Sequence, residues 1–188
     1  MKNALILLSG GIDSLCCAHF MQNQGFRTEA VFIDYGQAAI VNEQAAVEKI
    51  AKYLKIPITI LKFECPKNYA VGELKGRNLF LYSSGYFGCS FNSGVISSGI
   101  HSGTKYYDCS AKFQHSFSNL LSEMTDGKVE AFAPFLNWNK VEVYKYALDN
   151  DLPLGLSYSC ESDLMTPCGE CLSCLDLQLL QSLQNDVS

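Results

Sequence analysis

The stretch Leu8-Ser9-Gly10-Gly11-Ile12-Asp13-Ser14 stands where a short apolar run, Asn3 to Leu8, passes into a helical pattern that starts at Asp13. An apolar run without alternation is the pattern of a parallel strand covered on both faces, and apolar residues recurring every three or four positions after it mark a helix. The turn between them holds more small and polar residues than a bend requires. Glycines at such a turn expose backbone N–H groups at the positive end of the helix dipole, and the two together form an anion site. Ser9 and Ser14 add hydroxyl donors. The alternative is a plain cap, in which Asp13 or Ser9 accepts from the first-turn amides and the glycines only let the chain bend. Two familiar phosphate loops, G-x-x-x-x-G-K-[ST] and G-x-G-x-x-G, are absent.

Outward from this turn, strand and helix patterns alternate. Thr28 to Ile33 and Pro57 to Leu61 resemble the first strand, and Val95 to Ser98 and Val129 to Ala133 are expected as later ones. Helices are expected over Asp13 to Gln24, Val41 to Leu54, Arg77 to Tyr86, Ala111 to Glu123 and Lys140 to Asn150. The order predicts an α/β fold: a doubly wound, mostly parallel sheet with helices on both faces. Ligands of such sheets bind at the carboxyl ends of the strands. There the sequence places Ser9-Gly10-Gly11, Asp34-Tyr35-Gly36-Gln37, Gly99-Ile100-His101 and Tyr106-Tyr107-Asp108-Cys109. Phe63 to Gly76 reads as an irregular loop. The chain divides into an α/β portion over 1–156 and a cysteine-rich segment with a last amphipathic helix, Leu172 to Leu183, over 157–188, within one domain unit.

The 188 residues carry 14 basic and 19 acidic side chains, a formal charge of −5, which offers no footprint for nucleic acid. No apolar run approaches the length of a membrane span, and no signal-peptide pattern opens the sequence, so a cytoplasmic protein is expected. In a reducing compartment its nine cysteines should be thiols, metal ligands or catalysts, not disulfides. Cys160-x7-Cys168-x2-Cys171-x2-Cys174 has spacings that wrap a tetrahedral ion, with Pro167 and Gly169 shaping the turn. Structural Zn²⁺ is expected, an iron–sulfur cluster being the alternative. Four soft ligands leave no open coordination position for catalysis. Cys16, Cys17, Cys65 and Cys89 read as core or loop thiols. Cys109 has no adjacent base to lower its pKa, and His101 and His115 read as structural or simply polar.

Ser9 to Ser14 after an N-terminal strand resembles the pyrophosphate loop of the PP-loop ATP pyrophosphatases, which cleave ATP to AMP and pyrophosphate by adenylating a carboxylate or carbonyl. Further pieces follow in order: Phe32-Ile33-Asp34-Tyr35-Gly36-Gln37 with Glu43, then Gly76-Arg77-Asn78, then Tyr106-Tyr107-Asp108-Cys109, then the four cysteines. Together they are similar to the 7-cyano-7-deazaguanine synthases, QueC-like members of that superfamily. The resemblance implies a PP-loop fold with Ser9, Gly10, Gly11, Ile12, Asp13, Ser14, Phe32, Tyr35 and Gln37 at ATP. It implies Asp13, Arg77 and Lys140 in catalysis, and Arg77, Asn78, Tyr106, Tyr107 and Asp108 at the substrate. The implied reaction adenylates 7-carboxy-7-deazaguanine with Mg²⁺ and ATP, and ammonia then leads through an amide to the nitrile. Within it Asp13 either braces the loop or meets Mg²⁺. Arg77, at a helix start, takes phosphate or the substrate carboxylate, and Lys140 either serves phosphate or is an exposed helical lysine. Asp108 has the shape to accept from a guanine-like edge, with Tyr106 or Tyr107 stacking on the ring, or belongs to a polar loop.

The sequence departs from this family where Ala38 and Ala39 replace a basic pair, Ser110 an arginine, Thr104 an acidic residue and Tyr107 a proline. These changes surround the expected substrate pocket and motivate an alternative in which the activated deazaguanine is handed to the amine of a protein partner in an antiviral system. A tRNA-thiolating role is disfavoured by the acidic charge. A nucleotide-binding module without turnover is the non-enzymatic alternative, and a homodimer paired through the C-terminal helix is one expectation for assembly.

Overall fold

A computed structural model describes residues 2–64 and 74–185. Most of the expected loop from Phe63 to Gly76, with Cys65, lies outside the described residues. The elements are β1 (Asn3–Leu7), α1 (Ile12–Asn23), β2 (Arg27–Asp34), α2 (Ile40–Leu54), β3 (Ile58–Lys62), α3 (Arg77–Gly88), β4 (Gly94–Ser97), α4 (Ala111–Met124), β5 (Val129–Phe132), α5 (Lys140–Asp149) and α6 (Leu172–Asn185). Each falls within a residue or two of its expected bounds. Short 3₁₀ turns at Tyr107–Cys109 and Leu154–Leu156 were not expected.

All five strands are parallel, in the order β3-β2-β1-β4-β5. Leu5 of β1 stands opposite Glu29 of β2 and Ile96 of β4. The chain leaves β1 for one edge and returns beyond it to β4, so connections diverge above the carboxyl ends of β1 and β4. That crevice is where a ligand of such a sheet sits.

Alternate residues of β1 feed two cores. Ala4, Ile6 and Leu8 pack with α1, α2 and α5 through Leu15, Val47, Ile50 and Val143, whereas Leu5 and Leu7 pack with α3 and α4 through Tyr82, Phe113 and Phe117. Leu177 and Leu180 of α6 join the first core, so the C-terminal segment shares the packing of the α/β portion. One expectation is corrected: the apolar run of β3 predicts a strand covered on both faces, but none of its residues is fully buried. It is an edge strand, paired among the described residues with β2 alone.

Two helix starts near the crevice are fixed by their own sequence. Ser110 Oγ accepts from the Phe113 amide to cap α4, and Asn139 and Glu142 form a reciprocal capping box at α5. Among the described residues no helix is long and apolar enough to cross a membrane.

Candidate active site

At the turn after β1, Gly11 is the N-cap of α1 with extended backbone and no side-chain cap. Ser14 Oγ donates to the Gly11 carbonyl at 2.9 Å, and the Ser9 amide lies 3.3 Å from the same hydroxyl, as does Ser9 Oγ. The serines brace the turn, and the plain cap is not what is built. Gly10 has φ +86°, and a Cβ there would lie 2.8 Å from the Glu43 carbonyl oxygen, so α2 packs directly on the loop backbone. The Gly10 carbonyl accepts from the Tyr158 amide at 2.9 Å. Around Gly11, by contrast, the nearest atoms to an added Cβ are 3.8 Å away, belonging to Ser159 and Ser9. The start of α1 thus carries no side-chain cap and lies beside two serine hydroxyls, an arrangement suited to an anion.

Asp13 turns from these amides toward two basic groups. Its Oδ2 lies 3.6 Å from His101 Nε2 and 3.9 Å from Lys140 Nζ. His101 is buried, and its Nδ1 accepts from the Gly103 amide at 3.0 Å. The proton of the neutral ring is therefore on Nε2, facing Asp13. A Cβ at Gly99 would lie 2.5 Å from the Asp13 carbonyl oxygen, so only glycine lets the strand β4 exit approach α1 this closely. In the sequence His101 reads as structural or simply polar, yet its place just beyond β4 brings it beside Asp13. Lys140, the first residue of α5, contacts Asp13 and also Asp176 of α6, at 3.4 Å.

The turn after β2 is held by Gln37. Its Nε2 donates to the Ile33 carbonyl and to Glu43 Oε2, while its Oε1 accepts from the Tyr35 amide. Both ends of this amide serve the turn itself. Burial pushes the Glu43 carboxyl above its usual range, an effect opposed by the Gln37 hydrogen bond and the nearby Arg77 guanidinium. Phe32 is 1% exposed, its side chain packed in the core, so its backbone is the part placed to meet a ligand. Tyr35 is buried with its ring 5.9 Å from that of Phe80.

Ala39 is the N-cap of α2 and has no side chain for the task. Asp163, far along the chain, supplies it: its Oδ1 accepts from the Asn42 amide and from Asn42 Nδ2. Asp108 does the same for α3, Oδ2 accepting from the Asn78 amide at 3.0 Å while Asn78 Nδ2 donates to the Asp108 carbonyl at 2.9 Å. The structure thus joins Asn78 and Asp108 in one buried unit, with one Asp108 oxygen already engaged. Arg77 beside them is exposed, Tyr106 is half-buried, and Tyr107 is exposed with its ring 6.2 Å from Phe113. Ser110 replaces the expected arginine as the cap of α4, a role arginine cannot fill. Nothing in the structure explains Thr104.

The sulfurs of Cys160, Cys168, Cys171 and Cys174 lie within 4.8 Å of one another. The Cys168 amide donates to Cys160 Sγ and the Cys171 amide to Cys168 Sγ, both at 3.3 Å. Such amide-to-sulfur bonds orient thiolates toward a common centre, and the sulfur separations suit a single tetrahedral ion. This cluster can hold a metal. Cys16 and Cys17 are different: burial pushes both thiols up, Cys17 to about 12, so they are inert core residues.

The pattern of the family described as "Queuosine biosynthesis protein QueC" matches residues 3–78 and 69–179. Curated relatives include the 7-cyano-7-deazaguanine synthase of Campylobacter jejuni subsp. jejuni serotype O:6, 28% identical over 93% of this chain and 91% of that protein. The same name belongs to a Persephonella marina protein, 28% identical over 92% of this chain and 89% of the other. Among solved structures, NMN synthetase from Francisella tularensis is similar with a TM-score of 0.52 and 15% identity, covering 82% of this chain and 64% of that one. A 4-thiouridine synthetase, solved as an RNA complex with bound ATP, gives a TM-score of 0.54 and 16% identity over 96% of this chain and 50% of that one. At these identities the two structures speak for the fold alone. The sequence match runs from the strand before the glycine turn to the last helix, and on that extent the chain belongs to the QueC family of queuosine biosynthesis proteins.

Proposed function

We propose that the chain is a 7-cyano-7-deazaguanine synthase. ATP binds at Ser9 to Ser14; the carboxylate of 7-carboxy-7-deazaguanine attacks the α-phosphorus and pyrophosphate leaves. Ammonia then displaces AMP to give the amide, and a second ATP activates the amide oxygen for dehydration to the nitrile. The observation that carries this reading is the start of α1, where no side chain caps the helix and Ser9, Ser14 and Lys140 surround the free end, in a chain whose curated relatives bear that name.

The first-turn amides and serine hydroxyls would hold the pyrophosphate portion, and Lys140 would neutralise charge as it departs. Asp13, held between His101 and Lys140, fits the role of brace. Mg²⁺ accompanying ATP supplies further charge neutralisation. Arg77, exposed at the first position of α3, is suited to a carboxylate or phosphate. Asn78, Asp108, Tyr106 and Tyr107 would form the substrate wall, with Asp108 offering its second oxygen to the ring edge. A four-thiolate set favours Zn²⁺ with a structural role.

Purified protein incubated with Mg-ATP and 7-carboxy-7-deazaguanine, with and without ammonium, tests this by mass spectrometry. Nitrile formed only with ammonium is the expected result. A stable adenylate without amide or nitrile overturns the ammonia step, and absence of AMP under every condition overturns the enzyme.

A further inference from the structure

Lys140 stands in an unfavourable place. It is the first residue of α5, where the helix dipole is positive, and its ammonium reaches the equally positive start of α1. Two carboxylates offset this, Asp13 at 3.9 Å and Asp176 at 3.4 Å. They are not equivalent. Asp13 belongs to the loop helix itself and has His101 as a second partner, whereas Asp176 comes from α6. It lies between Cys174 of the metal cluster and Leu177, which packs into the core. Asp13 and Lys140 border a small cleft lined also by Ser159, Ser173 and Leu180, between the glycine turn and the cysteine-rich segment.

Building on the nucleotide site proposed above, we infer that Asp176 is a positioning residue that holds Lys140 on α6 until the triphosphate of ATP displaces it. The carboxylate occupies electrostatically the place that phosphate charge takes over. When nucleotide binds, Lys140 exchanges a protein anion for a ligand anion, and the contact tying the metal-binding segment to α5 is released. Lys140–Asp176 is then a switchable contact between the two parts of the chain. Because Asp176 competes with the ligand, removing its charge tightens ATP binding, the reverse of what loss of a supporting contact does.

The test is direct Mg-ATP binding by calorimetry on the wild type, D176N, D176E, K140M and the D176N/K140M pair, with metal content and melting temperature checked for each. We expect D176N to bind about two- to five-fold more tightly, the range of a half-exposed ion pair. D176E should stay near wild type, and D176N should have no effect in the K140M background. Unchanged or weaker binding by D176N overturns the inference, and so does equal tightening with and without Lys140, which would mean charge acting at a distance. Should D176N lose metal, D176S at this half-exposed position provides the same comparison. A wild type that fails to bind Mg-ATP removes the nucleotide reading itself, and is thereby distinguished from a wild type that binds but shows no coupling.

Discussion

Replacing Gly10 by alanine puts a methyl group 2.8 Å from the Glu43 carbonyl oxygen at a backbone angle that L residues avoid. G10A is expected to lose about 1–3 kcal/mol of stability, read from a denaturant midpoint, because neither the loop nor α2 can withdraw. Ser14→Ala keeps the fold but removes the hydroxyl shared by Gly11 and Ser9. Its Mg-ATP affinity should fall about ten-fold in a binding titration, the loss of one hydrogen bond to a charged ligand. Glu43 carries a pH signature. Its carboxyl is raised by burial, so the folded state binds that proton more tightly than the unfolded chain, and stability falls as pH rises from the ordinary carboxylate range through the raised value. Glu43→Gln keeps an acceptor for Gln37 and should be more stable than wild type at neutral pH, the gain vanishing below that window. Urea midpoints measured across pH check this. Gly10, the two serines and the four cysteines were legible in the sequence because their chemistry is local. Asp163 and Asp176 were not, since each gains its meaning from a partner far along the chain.

Helix starts around the crevice differ in where their caps come from. α4 and α5 use Ser110 and Asn139 from their own sequence, whereas α2 and α3 take theirs from Asp163 and Asp108 across the fold. Asp163→Ala should therefore cost about 1 kcal/mol and speed amide exchange in the first turn of α2, with α4 and α5 unchanged. Equal exchange throughout would refute the assignment. Local signals placed nearly every element, because β-branched runs, glycine turns and caps act within a few residues. They misjudged β3, whose apolar residues look like those of β2 although it lies at the sheet edge. Lateral order in a sheet is decided by long-range pairing, which composition does not encode.

Contacts joining the cysteine-rich segment to the rest include Leu177 and Leu180 in the core, Asp163 on α2, Tyr158 on the glycine turn and Asp176 on Lys140. Stripping metal with a chelator should therefore reach beyond the segment. We expect the melting temperature to drop by roughly 5 °C or more, the effect of losing about 2 kcal/mol in a domain of this size, and Cys171→Ser to behave alike with reduced metal content. An unchanged transition would sever the cluster from the fold. The hydrogen bond from the Tyr158 amide to the Gly10 carbonyl also bears on synthesis. A ribosome makes the glycine turn almost at once, but the backbone group that pins it emerges only after β5 and α5. Until then a nascent or prematurely terminated chain carries the whole loop sequence without a set loop. On the nucleotide reading proposed above, a chain truncated before residue 158 is expected to bind Mg-ATP more weakly than the full chain.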